Sequence, residues 1–193
     1  LEKQGWIAQA VCHELRVRLP EEERYRYAVS PHRGKFRIAS TNPVKASLCE
    51  RLLDKHKADN VLVIGQFLDQ LKVLAKRFKA PIITGRTPVR ERERLYKAFR
   101  TGDIKLLIVS KVANFAIDLP DANVAIQVSG TFGSRQEEAQ RLGRILRPKS
   151  DGSMAHFFSL VSRDTCDQDY SVKRQLFLTE QGYRYEILNA EDL

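Results

Sequence analysis

The sequence predicts an α/β domain built on a largely parallel sheet, and three observations support that fold class. From Pro43 onward, short runs rich in Val and Ile alternate with helical patterns of apolar residues. This alternation is typical of a parallel sheet that helices cover on both faces. A length of 193 residues suits one well-packed domain, and 42% hydrophobic and 30% charged residues are ordinary for a globular protein.

The predicted elements follow one another at short intervals. A buried strand over residues 61–64 ends at Gly65, and a helix with apolar residues at helical spacing follows over 67–78. After a strand at 81–84, a helix begins with Thr87 as its N-cap and Pro88 in its first position. The later elements are strands at 106–109 and 124–128, a helix from 136, a strand at 157–161, a helix over 164–180 and a strand at 183–188. Because ligands of such sheets bind at the carboxyl ends of the strands, we expect the functional residues in the loops there.

The first part of the chain does not show this alternation. Residues 1–42 contain a polar stretch at 20–24, and we interpret them as a lead-in segment or a small subdomain before a domain over residues 43–193. The chain begins at Leu1 rather than at a methionine, so we expect it to be part of a longer polypeptide.

Charge and composition narrow the classes of partner. A net charge of +9 favours nucleic acid, because each neutralised phosphate releases counterions, although a charge spread over the surface for solubility is the alternative. No apolar run reaches the roughly 18 residues of a membrane span, so we expect no membrane partner. No two cysteines form a C-x-x-C pair, so we expect a reducing intracellular compartment. The three cysteines and four histidines are scattered along the sequence, so we expect no disulfide bonds and no bound metal.

A Q-x-x-G-R-x-x-R pattern is the strongest functional signal. On a helix, Gln140, Gly143, Arg144 and Arg147 lie on one side, because they are spaced at i, i+3, i+4 and i+7. A guanidinium group can bind two oxygens of one phosphate at the same time, and it remains positively charged at physiological pH. The pattern therefore favours an arginine finger for phosphoryl transfer, and a solvated basic helix face is the alternative.

The other side of the same helix is apolar. Ala139, Leu142 and Leu146 are expected to pack on the sheet. The partner site that an arginine finger needs is missing from this sequence, since neither a G-x-x-x-x-G-K-[ST] loop nor a D-E-x-H box is present.

Several segments together resemble one helicase family. Residues 135–147 resemble motif VI of superfamily 2 helicases, and closely that of XPB-type DNA repair helicases. Residues 110–124, with Asp118-Leu119-Pro120, resemble motif V, and residues 61–65 with the following helix resemble motif IV. Residues 158–183 are similar to the C-terminal end of the XPB family.

The resemblance implies the second of two RecA-like helicase domains, with ATP and Mg²⁺ held mainly by an N-terminal RecA-like domain of the same polypeptide. It implies that Arg144 and Arg147 reach the γ-phosphate and that Gln140 helps to position them. Asp118 and Gly143 would couple the nucleotide to the interface between the domains. This chain alone is then expected to hydrolyse no ATP.

The resemblance also implies contacts with the DNA backbone. The residues expected to face it are Gln66, Gly85, Thr87, Ser110 and Lys111. The motif V loop departs from the family pattern at residues 114–117, which are larger and less polar than expected. Residues 21–40 are either a shortened form of the family's thumb-like DNA-gripping region or a solvated linker.

The predicted function is therefore that of an ATP-dependent DNA helicase or translocase acting in DNA repair, in transcription-linked DNA opening, or in both. Its expected partners are DNA and either a repair nuclease or a transcription and repair complex. We expect it in the cytoplasm, associated with the nucleoid, if it comes from a prokaryote, and in the nucleus if it comes from a eukaryote. The alternative is a non-enzymatic module that holds DNA phosphates with the arginine face. A complete small-molecule nucleotide-binding domain is disfavoured by the absent glycine-rich loop.

Two charged groups have simpler interpretations. Asp164, Asp167 and Asp169 are expected to stabilise the start of a helix rather than to bind a metal. Lys173 and Arg174 are interpreted as surface residues.

Overall fold

The fold is a single parallel sheet with helices on its faces. A computed structural model of the chain describes residues 10–110, 122–130, 142, 146 and 149–193. Within these ranges, the sheet has seven strands in the order β3-β4-β2-β5-β6-β1-β7, and every pairing is parallel. The strands are β1 (Ala10–Val17), β2 (Val61–Gly65), β3 (Ile82–Ile83), β4 (Leu106–Ser110), β5 (Val124–Gln127), β6 (Ala155–Ser162) and β7 (Arg184–Asn189). The predicted α/β class is confirmed.

The helices occupy the connections between the strands. They are α1 (Glu21–Val29), α2 (His32–Ser40), α3 (Val44–Lys55), α4 (Leu68–Phe78), α5 (Val89–Thr101) and α6 (Cys166–Glu180), and a short 3-10 helix covers Ala190–Asp192. None of the helices within the described ranges is long and apolar enough to cross a bilayer.

Apolar side chains fill both sides of the sheet. On one side, Leu48 of α3 and Leu71 of α4 pack in a cluster with Val63 and Ile126. On the other side, Phe99 of α5 belongs to a cluster with strand residues of β2, β3 and β4. All five residues of β2 are buried, as is typical of a strand covered on both faces, and this explains why it reads as a continuous apolar run.

Strand β1 corrects the predicted lead-in segment. The sequence analysis placed no strand before residue 43, whereas Ala10–Val17 lies inside the sheet between β6 and β7. Its backbone pairs with both neighbours, so residues 10–17 are part of the sheet rather than a segment that leads into it. Residues 21–40 form α1 and α2, and their interpretation as a shortened thumb stays a prediction.

Two predicted helix starts are shifted. Helix α5 begins at Val89 with Pro88 as its N-cap, so the predicted capping by Thr87 is wrong. The Thr87 hydroxyl oxygen instead accepts a hydrogen bond of 2.9 Å from the Thr84 amide. Helix α6 begins after Thr165, whose side chain accepts a hydrogen bond from the Asp167 amide.

Candidate site at the carboxyl edge of the sheet

The parallel strands bring four of the predicted residues to one edge. Gln66 follows β2, Gly85 and Thr87 lie after β3, and Ser110 is the last residue of β4. These three strands are neighbours in the sheet, and neighbouring strands lie about 4.8 Å apart. The other predicted site residues lie outside the described ranges, and they are Lys111, Asp118, Gln140, Gly143, Arg144 and Arg147.

The loop after β2 is fixed against the loop after β5. The Gln66 amide donates a hydrogen bond of 2.6 Å to the hydroxyl of buried Ser129. A Cβ on Gly65 would approach Leu71, Ser129 and Val128 to less than 3.0 Å, so only glycine fits there. The position of Gln66 is therefore set by the β5 loop.

The turn after β3 is closed by its own threonines. The Thr87 oxygen accepts from the Thr84 amide, and the Thr84 oxygen accepts from the Arg86 amide at 3.2 Å. Gly85 and Arg86 are exposed at the tip. Arg86 is a further cation that the sequence analysis did not select, although its place beside Gly85 in a loop after a strand indicated it.

A buried ion pair supports the loop after β5. The Lys45 ammonium donates 2.7 Å to an Asp167 carboxylate oxygen and 3.1 Å to the carbonyl of Val128. Lys45 and Asp167 are both almost fully inaccessible, and the same Asp167 oxygen accepts from the Ser162 amide at 3.0 Å. Burial lowers the pKa of Lys45, and the Asp167 carboxylate opposes that shift. Breaking such a pair from one side costs about 3–5 kcal/mol.

Arg174 supports the next residues of the loop. Its guanidinium donates 2.8 Å to the Ser159 hydroxyl and is 5% exposed, so the interpretation of Arg174 as a surface residue is wrong. A Cβ on Gly130 would lie 2.5 Å from Arg174 Nη2, so the guanidinium occupies the space that a side chain would need.

The loop after β5 is thus held at three successive residues. Val128 is held through its carbonyl, Ser129 through its hydroxyl and Gly130 through close contact with Arg174. We define Val128–Gly130, Lys45, Asp167 and Arg174 as the edge network. The sequence analysis selected neither Lys45 nor Asp167 for this role, because their partners are distant in the chain.

The apolar side of the predicted arginine helix is anchored as expected. Leu142 and Leu146 are buried in a cluster with Ala125, Phe157 and Leu178. The Leu146 amide donates 3.0 Å to the Leu142 carbonyl, the spacing of an α-helical hydrogen bond. The predicted packing of these two leucines is confirmed, whereas Ala139 lies outside the described residues.

Three histidines that are scattered in sequence lie together in the structure. His13 Nε2 is 3.0 Å from His156 Nδ1, and the rings of His56 and His156 are 5.6 Å apart. Glu186 lies 3.1 Å from His13, and burial lowers the pKa of His13 to about 4. We call His13, His56 and His156 the histidine cluster. No group of three His, Cys, Asp or Glu side chains suited to a metal ion was found in the part of the chain that the structure describes.

Solved structures with similar folds define the class of protein. The C-terminal domain of the DEAD-box protein Dbp5 has a TM-score of 0.66 at 15% identity, over 95% of this chain and 91% of that chain. A variant of S. cerevisiae Dbp5 bound to RNA and ADP BeF3 has a TM-score of 0.69 at 17% identity, over 96% of this chain and 43% of that chain. The fold is that of a RecA-like helicase domain.

Sequence comparison then defines the family. The profile of the ERCC3/RAD25/XPB C-terminal helicase matches residues 1–192, and the chain belongs to this family. The DNA 3'-5' helicase XPB of Kineococcus radiotolerans is 58% identical over 100% of this chain and 35% of that protein. The XPB/SSL2 subunit of general transcription and DNA repair factor IIH from Saccharomyces cerevisiae is 38% identical over 97% of this chain and 23% of that protein. The chain thus spans about a third or less of the relatives it matches.

Proposed function

We propose that this chain is the second RecA-like half of an ATP-dependent DNA helicase or translocase of the XPB type. The observation that carries the proposal is the shared edge on which Gln66, Gly85, Thr87 and Ser110 lie, in a chain of this family. Loops at the carboxyl ends of parallel strands are where such sheets bind their ligands. Together with Arg86, and with Lys111 as the next residue in the sequence after Ser110, these loops would contact the phosphates of one DNA strand.

The arginine fingers are the catalytic part of the proposal. Burial of Leu142 and Leu146 fixes one side of the motif VI segment. In a regular helix, Gln140, Arg144 and Arg147 would then lie on the opposite side, facing away from the sheet. Arg144 and Arg147 would reach the γ-phosphate of ATP held by the other half of the polypeptide. Gln140 would position them, and Asp118 and Gly143 would couple the nucleotide to the interdomain interface.

ATP and Mg²⁺ fit this chain only as ligands shared with another domain. The two buried cations near the edge, Lys45 and Arg174, are bound to internal partners and do not face a ligand. The phosphates would therefore be met by Arg144 and Arg147, and Mg²⁺ by the other half. When bound, ATP supplies the free energy of phosphoryl transfer that drives closure and release of the two halves.

We propose a positioning role for the edge network. Lys45 and Arg174 hold Val128–Gly130, the residues that lead into the segment before motif VI. Holding this loop in place would determine where the predicted helix with Arg144 and Arg147 begins. Coupling between the DNA-contacting motif IV loop and the arginine fingers would then pass from Gln66 through its hydrogen bond to Ser129.

The cellular setting is proposed from the relatives. We infer that the intact protein works on DNA in repair, in transcription-linked opening, or in both, with a repair nuclease or a transcription and repair complex. It would act in the cytoplasm with the nucleoid or in the nucleus, depending on its source.

The test is Arg144→Ala in the full-length protein, with Arg100→Ala on the exposed end of α5 as the matched control. DNA-stimulated ATP hydrolysis should fall by about 10³-fold or more, because an arginine finger contributes that much to the rate. DNA affinity should change less than twofold. Unchanged hydrolysis would refute the arginine finger, and uniformly weakened DNA binding with a shallower salt slope would instead support an arginine face that holds DNA phosphates directly.

A further inference from the structure

A cavity lies at the carboxyl edge beyond the loops already described. It has a volume of about 360 Å³ and is enclosed by the turn after β1, helix α1 and the turn between β6 and α6. Its lining residues are Arg18, Leu19, Arg24, Tyr27, Ala28, Arg163, Asp164 and Thr165. Buried Leu19 and Thr165 form its inner part, and the arginines come from three different segments.

The charge of the cavity is unbalanced. Three arginines line it, Arg18, Arg24 and Arg163, against a single acidic residue, Asp164. Arg163 Nε lies 3.7 Å from Asp164, too far for a strong hydrogen bond. Among the described residues, no carboxylate lies within ion-pairing distance of Arg24. These donors are therefore available to an anion that enters the cavity.

The pairing of Arg18 is equally loose. Its Nε lies 3.7 Å from a carboxylate oxygen of Glu191, and both side chains are more than half exposed. Such surface pairs contribute little stability, so a phosphate could replace Glu191 at small cost.

A neutral donor completes the lining. The Tyr27 hydroxyl oxygen accepts a hydrogen bond of 2.8 Å from the Cys166 amide, and its phenolic hydrogen can donate to the Cys166 thiol or to a bound anion. Burial raises the pKa of Tyr27 to about 12, so the hydroxyl keeps this hydrogen at physiological pH. The first amides of α6 are already bound, Cys166 by Tyr27 and Asp167 by Thr165, so side chains rather than the helix end would hold the anion.

We propose that this cavity binds a backbone phosphate of nucleic acid. Arginine forks match phosphate oxygens in geometry as well as charge. Because all strands are parallel, the cavity beside β6 and β1 lies on the same edge as the loop after β2, two to three strands away. That separation is about 10–14 Å at 4.8 Å per strand, or about three to four nucleotides at 3.4 Å each. A strand that contacts Gln66 would thus reach Arg163 and Arg24.

The inference rests on the proposed DNA-translocating function and extends the DNA path to residues that the helicase motifs do not include. It is distinct from a thumb built on α1 alone, because the turns after β1 and β6 supply two of the three arginines.

The experiment measures binding of a labelled single-stranded oligonucleotide by the full-length protein without nucleotide, over a range of salt concentrations. The double variant Arg24→Ala/Arg163→Ala should bind about tenfold or more weakly, since charge-assisted hydrogen bonds are lost. The slope of log affinity against log salt should become shallower by about 1 to 2. The control Arg26→Ala removes one positive charge from the same helix, as Arg24→Ala alone does; Arg26 pairs with Glu23 outside the cavity, so affinity should change less than twofold.

Further measurements separate the outcomes. Tyr27→Phe should weaken binding by a few-fold while circular dichroism shows a folded protein. Equal binding by the double variant and Arg26→Ala overturns the proposal. The proposal is also overturned if the cavity binds free anions but not DNA. In that case inorganic phosphate would raise the thermal midpoint of the parent protein but not of the double variant, and the double variant would bind DNA as tightly as the parent protein. If the protein shows no DNA-stimulated ATP hydrolysis but the double variant still loses affinity, the proposed helicase function fails and the phosphate site stands.

Discussion

The edge network and the histidine cluster are two groups of polar side chains that lie on or against the same sheet, and they are stabilised in opposite ways. In the edge network, Lys45 Nζ donates to Asp167 Oδ2 at 2.7 Å, and both groups make further hydrogen bonds with the backbone. In the histidine cluster, burial disfavours the charged form of His13 and His156. Lys45 and Asp167 are paired with each other, whereas burial favours the neutral form of His13 and His156.

This difference indicates different uses. The edge network binds a loop that leads toward the motif VI segment, so a change there should alter both stability and, under the proposed function, the positioning of the arginine fingers. The histidine cluster contacts β1, β6 and Glu186 of β7, away from the motif loops. Changes there should alter stability and its pH dependence while leaving ATP hydrolysis unaffected.

The largest expected effect follows removal of one partner of the buried ion pair. Lys45→Ala leaves the Asp167 carboxylate without its cation and should lower the free energy of unfolding by about 3–5 kcal/mol. Urea denaturation followed by circular dichroism measures the change. A cost below about 1 kcal/mol would show that the ammonium contributes no net stability.

A double variant separates stability from positioning. Lys45→Met/Asp167→Asn removes both charges, and the amide oxygen still accepts from Ser162. Stability should stay within about 1 kcal/mol of the parent protein, because neutral replacements of buried pairs are often tolerated. The Val128 carbonyl nevertheless loses its donor, so kcat of the full-length enzyme should fall with little change in KM for ATP.

A second, smaller effect is expected at Gly130. Gly130→Ala places a Cβ 2.5 Å from Arg174 Nη2, so the guanidinium must move and its bond to Ser159 is strained or lost. The cost should be about 1–3 kcal/mol. Gly34→Ala is the control, because its Cβ would come closest to a side-chain carbon of Ser30, at 3.2 Å. If both variants unfold at the same urea concentration, Arg174 does not constrain the loop.

Sequence reasoning recovered most strands but not β1, and the reason lies in one buried acid. Glu14 is fully buried and accepts hydrogen bonds from Arg16, Ser171 and Tyr185. Two of these partners lie more than 150 residues away in the chain, so the local pattern gave no indication that this polar segment could be covered. The strands from β2 to β6 were predictable because their residues are apolar on both faces.

The candidate site was predictable to the same extent. Gln66, Gly85, Thr87 and Ser110 follow apolar strands, and parallel pairing alone brings them to one edge. Lys45 was not predictable, because its partner Asp167 is 122 residues distant and a lysine in a helix ordinarily faces solvent. Residue type identifies a cation, whereas only the fold shows whether it faces a ligand or the interior.

The smallest expected effect is the pH dependence that the histidine cluster gives to stability. The pKa of His13 is lowered from 6.5 to about 4 by burial and by His156, while Glu186 opposes the shift and Lys55 adds to it. Between these two pH values the unfolded chain binds more protons than the folded one. With respect to His13, the free energy of unfolding is therefore highest above pH 6.5 and falls as the pH decreases toward 4. The loss from His13 should be about 1–2 kcal/mol, after allowance for partial exposure. His13→Gln should flatten the urea midpoint between pH 6.5 and 4.5, whereas His32→Gln, at an exposed position in α2, should leave its pH dependence unchanged. If the two variants show the same pH dependence, His13 does not control acid stability, and the contrast with the edge network is lost.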